Sequence, residues 1–288
     1  MSPLCDPARL LERLGDPGVV VVDCQWRLAE PGAGERDYLA AHIPGAAHVD
    51  VSEDLSGPPG SGGRHPLPEP EIFAETARRA GVGATSEVVA YDEDGAGGAA
   101  RLWWLLRHFG HASVRVLDGG LRAWRELGGP LASGPEQIDP GDFSPGAPAA
   151  DIASADELRD RLGDPGLTLL DARVRERYLG EHEPIDPVAG HIPGARNVPF
   201  GEVAPGGRFL PPAQLRERLG DGEAVAYCGS GVSACTLVLA AEAAGLPRPR
   251  LYPGSWSEWS GLGLPVERHQ SDRSTTSRRS GPGGDDSR

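Results

Sequence analysis

Cys228 stands in a sequence setting that favours covalent chemistry at sulfur. It follows the apolar run 225–227 and precedes Gly-Ser-Gly-Val-Ser, residues 229–233. Gly229 and Gly231 permit backbone conformations closed to other residues, so the amide groups of the loop can converge on one point. Because a helix pattern begins at Ser233, its dipole adds to the stabilisation of a thiolate and of anionic sulfur attached to it. We predict that Cys228 is a nucleophile and that its cradle is formed by the loop residues Gly229, Ser230, Gly231, Val232 and Ser233. The two serines supply hydroxyl donors.

Two other uses of a cysteine loop are disfavoured by the neighbouring residues. A cysteine phosphatase needs an arginine six positions after the nucleophile to grip phosphate, and that position holds Ala234. A cysteine hydrolase needs a histidine paired with the thiol. His42 and His191 stand in His-Ile-Pro-Gly segments and are better interpreted as turn residues.

The remaining cysteines are predicted to be free thiols that serve packing. Cys5, Cys24 and Cys235 form neither zinc-type spacing nor a Cys-x-x-Cys pair with one another or with Cys228. A small buried hydrophobe is the usual role of such a residue. The sequence therefore implies no metal and no organic cofactor.

The elements that position Cys228 belong to an internal repeat. Four segments recur in the same order, with similar spacing: 19–23 with 167–171, 41–46 with 190–195, 87–92 with 223–228, and 116–124 with 251–259. In the first copy Asp92 takes the place of Cys228, and Glu93 and Asp94 follow it. A carboxylate cannot carry sulfur, and three acids repel an anion. We expect the first copy to be inactive and to cover the active face of the second.

Each copy alternates short apolar runs with helical patterns, which favours a mainly parallel sheet flanked by helices. The predicted organisation is an α/β chain with an inactive domain at residues 1–132, a linker at 133–150, a catalytic domain at 151–267 and a disordered tail at 268–288. The first copy carries an insertion at 52–70, and the linker is rich in proline and glycine. The tail is polar and rich in serine, arginine and glycine.

Charge and hydropathy exclude several classes of protein. The formal net charge of −14 argues against binding to nucleic acid, which requires a basic surface. No apolar stretch approaches the length of a membrane span, and no secretory signal is visible. We therefore expect a cytoplasmic protein without nucleic-acid or membrane partners.

These motifs together resemble the tandem-domain rhodanese-like sulfurtransferases, over roughly residues 4 to 267. The resemblance is carried by the two His-Ile-Pro-Gly-Ala segments, by the cysteine loop, and by the segments 118–120 with Trp124, 171–173, 177–178 and 254–259. It implies two rhodanese-like domains and a ping-pong reaction. Cys228 would take sulfane sulfur from a small-molecule donor, become a persulfide, and pass the sulfur to cyanide, a thiol or a thioredoxin-like protein.

The resemblance also bears on the donor. The loop Gly-Ser-Gly-Val-Ser is similar to that of mercaptopyruvate-using members, whereas thiosulfate-using members typically carry two cations there. By the same resemblance Arg177 binds substrate, Ser230 polarises it or shuttles a proton, and His65 joins Ser230 in a relay whose aspartate position holds Ser52. The segment 181–187 lacks the second substrate arginine of the mercaptopyruvate type. Thiosulfate therefore stays open as the donor, and a non-catalytic sulfur carrier or binding module is the alternative from another class.

Overall fold

The computed structural model describes residues 2–93 and 97–268. The first copy of the repeat begins with a short edge strand and then alternates helices and strands. Its elements are β1 (Leu4–Cys5), α1 (Pro7–Arg13), β2 (Val19–Asp23), α2 (Ala33–Ala40), β3 (Ala47–His48), α3 (Pro70–Arg79), β4 (Glu87–Tyr91), α4 (Gly98–His108), β5 (Val114–Leu117) and α5 (Gly120–Glu126).

The second copy also alternates helices and strands, with three short helical segments between its second and third strands where the first copy has α3. Its elements are α6 (Ala155–Asp160), β6 (Leu167–Asp171), α7 (Arg175–Leu179), β7 (Arg196–Asn197), α8 (Phe200–Val203), a 3-10 turn (Pro205–Gly207), α9 (Pro212–Leu219), β8 (Glu223–Tyr227), α10 (Ala234–Ala243), β9 (Arg250–Leu251) and α11 (Ser255–Gly261).

Both copies form parallel sheets, and the order β5-β4-β2-β3 of the first sheet recurs as β9-β8-β6-β7 in the second. In the described ranges the first sheet runs β1-β5-β4-β2-β3 and the second β7-β6-β8-β9. The register also repeats, since Val19 lies opposite Glu87 in one sheet and Leu167 lies opposite Glu223 in the other. The predicted fold class, two α/β domains with mainly parallel sheets, is confirmed.

The two His-Ile-Pro-Gly segments make equivalent contacts in the two copies. Nδ1 of His42 lies 2.8 Å from the carbonyl oxygen of Tyr38, and Nδ1 of His191 lies 2.8 Å from that of Tyr178. Each ring also stacks on the same tyrosine. The histidines therefore fix the helix that precedes each turn, and neither lies beside Cys228.

The two copies pack on each other through α4 and α10, the helices that follow the two equivalent loops. A single apolar cluster contains Trp103 and Leu106 of α4 together with Leu237 and Val238 of α10. Burial of these side chains contributes roughly 1.5 to 3 kcal/mol each. The loop of Cys228 is thus joined rigidly to the first copy.

The segment predicted as a linker lies against the first copy. Phe143 is buried in the shared apolar cluster, its amide donates to the carbonyl of Val82, and its own carbonyl accepts from Arg78. Proline and glycine therefore set the path of this segment, while one aromatic side chain anchors it.

Glu267 joins the C-terminal end of the described residues to the second copy. Its backbone pairs with His191 in both directions, and its carboxylate accepts from the amide of Gly194. Apart from Arg268, the tail predicted to be disordered lies outside the described residues. Within the described ranges, no helix has the length and apolar character needed to cross a membrane.

Candidate active site

Cys228 is the first residue after β8 and is 2% exposed. Its Sγ accepts a hydrogen bond of 3.1 Å from the amide of Gly231, three residues along the loop. Its own amide donates to Oγ of Ser255 at 3.1 Å, and its carbonyl accepts from the amide of Trp256. The loop therefore holds the thiol of Cys228, and the start of α11 holds its backbone.

Two residues adopt left-handed backbone conformations in order to build this arrangement. Gly231 has φ of +78°, and a Cβ there would lie 2.4 Å from the carbonyl oxygen of Pro253. Ser255 has φ of 53° and is fully buried, which is uncommon for a residue with a side chain. Strain of this kind persists where the surrounding structure demands a particular geometry, as at a reactive centre.

A cleft of about 690 Å³ between the two copies leads to the cysteine. Most of the residues predicted to form the site line it, namely Cys228, Gly229, Ser230, Val232, Ser233 and Arg177. The first copy contributes Trp26, Arg64 and Asp92 to the opposite wall. The two remaining predicted residues stand behind the wall: Gly231 contacts the sulfur through its amide, and His65 contacts Ser230.

A chain of hydrogen bonds runs from Ser230 into the first copy. Nδ1 of His65 lies 2.7 Å from Oγ of Ser230, and Nε2 of His65 lies 3.5 Å from Oγ of Ser52. The indole N–H of Trp26 donates to the same Ser52 oxygen at 3.0 Å. In the tautomer of His65 that carries its proton on Nδ1, the Ser52 hydroxyl donates to Nε2, Nδ1–H donates to Ser230, and the Ser230 hydroxyl is left to donate into the cleft.

His65 is a neutral imidazole at physiological pH. Burial lowers its pKa from 6.5 to about 4, and the charges of Arg101 and Arg64 add to the effect. Asp54, two positions after Ser52, pairs instead with Arg79. Among the described residues the ring nitrogens of His65 contact two hydroxyls, those of Ser230 and Ser52, and no carboxylate.

We expect His65 to make the protein less stable in acid. As the pH falls from about 6.5 towards 4, the unfolded chain takes up a proton at residue 65 that the folded protein does not bind. The free energy of unfolding therefore decreases with falling pH, by up to about 3 kcal/mol from this group. In urea unfolding measured at neutral pH and near pH 4, His65→Gln should lose less stability than the wild type by about this amount. Equal losses would contradict the assignment.

Arg101, on α4 of the first copy, supports the cysteine loop from behind. Its guanidinium is fully buried and donates to the carbonyl oxygens of Gly231 at 3.2 Å, His65 at 3.1 Å and Leu55 at 3.4 Å. Burial lowers its pKa, and the nearby Cys235 and Cys228 sulfurs act against that change. One side chain therefore ties the nucleophile loop to the histidine and places a positive charge beneath the sulfur.

Cys235, the other thiol near this cation, is fully buried. Burial raises its pKa to about 12, with Arg101 acting in the opposite direction. All four cysteines are free and buried. The packing role expected for Cys235 agrees with its place in the first turn of α10, where its thiol donates to the carbonyl of Gly231.

Two arginines lie above Gly229, next to the cysteine. A Cβ placed on Gly229 would be 2.9 Å from Nη2 of Arg64 and 3.3 Å from Nη1 of Arg177. Arg177 donates to both carboxylate oxygens of Glu183 and, at 2.9 Å, to Oδ2 of Asp186. Arg64 is paired with the other oxygen of Asp186. Asp186 thus bridges the two guanidinium groups from behind.

Sequence reasoning missed Arg64, Arg101, Asp186 and Ser255. Arg64 had one signal, its place beside His65 in the insertion of the first copy. The other three had none, because their contacts join positions far apart in the chain or depend on an unusual backbone angle.

Comparison with known proteins gives a consistent pattern. Residues 6–127 and 154–262 match the Rhodanese-like domain family. A Pseudomonas aeruginosa protein provisionally named 3-mercaptopyruvate sulfurtransferase is 47% identical over 269 residues, which cover 90% of this chain and 95% of that one. A Mycobacterium tuberculosis protein provisionally named thiosulfate sulfurtransferase is 45% identical, with coverage of 85% and 89%. The structure of 3-mercaptopyruvate sulfurtransferase from Leishmania major aligns with a TM-score of 0.79 and 32% identity, covering 91% of this chain and 75% of that one.

Proposed function

Since the chain belongs to the rhodanese-like family and is a sulfurtransferase, we propose that it takes sulfur from 3-mercaptopyruvate and carries it as a persulfide on Cys228. The observation that carries this proposal is the position of Arg177 against Gly229, in a site whose cysteine loop has no charged side chain. A guanidinium group binds a carboxylate through two parallel hydrogen bonds. The carboxylate of mercaptopyruvate would then lie beside the loop, with its thiol directed at Cys228.

The residues around Cys228 suit the first half of this reaction. The Cys228 thiolate attacks the donor sulfur, an S–S bond forms, and the C–S bond of the donor breaks. The electron pair of that bond passes to the donor carbon as the enolate of pyruvate, which takes up a proton to give pyruvate. The Ser230 hydroxyl, backed by His65, is placed to hydrogen-bond the donor carbonyl as charge develops on its oxygen. The Gly231 amide and Arg101 then stabilise the persulfide anion.

In the second half, a nucleophilic acceptor removes the outer sulfur and restores the Cys228 thiolate. We propose a thiol, cyanide or a thioredoxin-like protein for this step, since each attacks sulfane sulfur directly. We assign the protein to the cytoplasm, because a nucleophilic thiol and three further free thiols are compatible with a reducing compartment.

Thiosulfate is the second candidate donor. The M. tuberculosis relative carries the name of a thiosulfate sulfurtransferase, and two guanidinium groups near the loop could also bind a sulfonate. Side-by-side measurement of kcat/KM with both donors decides between them. We expect mercaptopyruvate to be preferred, and a preference for thiosulfate would overturn the proposal. One sulfur transferred per chain, without further turnover, would identify a carrier.

Arg177→Ala is expected to raise the KM for mercaptopyruvate by roughly 10- to 100-fold, because one charge-assisted pair of hydrogen bonds to the carboxylate is lost. Arg175→Ala, on the same helix and exposed, removes the same charge and serves as the matched control. Its KM should stay within about twofold of the wild type. Steady-state kinetics on the three proteins make the comparison, and an unchanged KM in Arg177→Ala would show that the carboxylate binds elsewhere.

A further inference from the structure

We propose that Arg64, contributed by the first copy, is the second carboxylate-binding residue of the site, and that it forms with Arg177 a two-arginine clamp across the domain interface. The ligand class is a small carboxylate such as an α-keto acid. The inference rests on the proposed function, which it deepens by assigning a binding residue that lies outside the catalytic copy.

The guanidinium groups of Arg64 and Arg177 point to the same part of the cleft. Nη2 of Arg64 and Nη1 of Arg177 both lie within about 3.5 Å of the space above Gly229, on the route to Cys228. Among the described residues, neither nitrogen donates a hydrogen bond, while the opposite nitrogens are taken up by Asp186 and Glu183. The unused donors of two arginines therefore face one small volume beside the nucleophile.

Asp186 and Glu183 hold the two guanidinium groups in this position. Asp186 accepts from Arg64 through Oδ1 and from Arg177 through Oδ2, and its side chain is 3% exposed. Its backbone amide donates to Glu183, which also pairs with Arg177. An ion pair in such a buried position fixes side-chain geometry more than it adds stability. The arrangement holds both guanidinium groups in place before a ligand arrives.

Arg64 also has a buried donor without a partner among the described residues. Its Nε is buried and has no hydrogen-bond partner within the described residues, and a buried donor in this state costs roughly 1 to 3 kcal/mol. A carboxylate entering the cleft from the side of Gly229 could accept from Nη2, which lies on the same edge of the guanidinium as Nε. Segment 181–187 contains no arginine. Its residue Asp186 instead positions Arg64, which supplies the cation from the first copy.

The clamp can be tested without turnover by alkylating Cys228 with iodoacetate and with iodoacetamide. The first reagent carries a carboxylate where the second carries a neutral amide. The rate constant for each reagent is read from the mass of the Cys228 peptide. Arg64→Ala should lower the ratio of the iodoacetate rate to the iodoacetamide rate by roughly tenfold. Arg13→Ala removes an ion-paired arginine of the first copy that does not line the cleft, and its ratio should match the wild type.

The outcomes distinguish this proposal from the assignment of the donor. A lowered ratio in Arg64→Ala, in a protein that does not turn over mercaptopyruvate, would support the clamp and refute the donor. An unchanged ratio would overturn the clamp even if kcat/KM for mercaptopyruvate fell. Arg64→Lys, which keeps the charge but loses the fork, provides the second variant if Arg64→Ala does not fold. The ratio for Arg64→Lys should be lower than that of the wild type and of Arg13→Ala, but some preference for iodoacetate should remain. A wild-type ratio would also contradict the clamp.

Discussion

Cys228→Ser is expected to abolish sulfur transfer, with kcat falling by roughly 10⁴-fold or more. The serine hydroxyl does not ionise near neutral pH, and an alkoxide could not hold sulfane sulfur as a persulfide. The fold should remain intact, since oxygen can still accept from the Gly231 amide that now lies 3.1 Å from Sγ. Turnover with mercaptopyruvate and a thiol acceptor measures the loss, and mass spectrometry of the donor-treated protein locates the persulfide.

Cys5→Ser is the matched control for this change. Cys5 is equally buried, lies on the edge strand of the first copy and is remote from the cleft. The variant should keep wild-type turnover even if it loses some stability. More than a trace of transfer in Cys228→Ser, or a persulfide found on another cysteine, would refute the assignment of the nucleophile.

Arg101→Met is expected to have the second largest effect, on stability and on turnover together. Methionine fills part of the volume but leaves the carbonyl oxygens of His65 and Leu55 without the Arg101 donor, and that of Gly231 with only the weak thiol donor of Cys235. Buried acceptors in that state make the loss roughly 3 kcal/mol or more. Turnover should fall in the fraction that stays folded, because the positive charge beneath Cys228 is lost and the loop is no longer tied to His65.

Arg107→Met, on the same helix, is the control for Arg101→Met. Arg107 is partly exposed and pairs with Glu242 at 3.6 Å, so its loss should cost less than about 1 kcal/mol. Urea unfolding gives both values, and kcat is measured on folded protein. If the two variants were equally stable and equally active, the role of Arg101 as the link between the copies would be wrong.

Features formed within one short segment were predictable from the sequence. The strand, the cysteine, the glycine-rich loop and the helix follow one another over about twenty residues, and each is specified by its own pattern. The repeat added a second view of the same unit, which is why Asp92 could be matched to Cys228. The strand register repeats between the copies for the same reason, since the same apolar positions face the same neighbours.

Features that depend on how the two copies pack were not predictable. Arg101 and Gly231 are 130 positions apart, and Arg64 and Asp186 are 122 apart. A charged residue on an apolar helix or in a polar insertion has no local pattern that names its partner. The left-handed angle of Ser255 was also hidden, because serine ordinarily avoids it. The proline- and glycine-rich segment 133–150 gave no sign that Phe143 would be buried.

The distribution of the site over both copies has a consequence for biosynthesis. The first copy leaves the ribosome earlier, and N-terminal domains generally fold first. Until α10 is made, Trp103 and Leu106 of α4 have no apolar partner in the second copy, so the half-finished chain exposes a surface prone to aggregation. The docking of α10 covers that surface and sets the loop of Cys228 against Arg101 in the same event. Covering of the apolar surface and placement of the cysteine loop against Arg101 are therefore coupled steps in the folding of the chain.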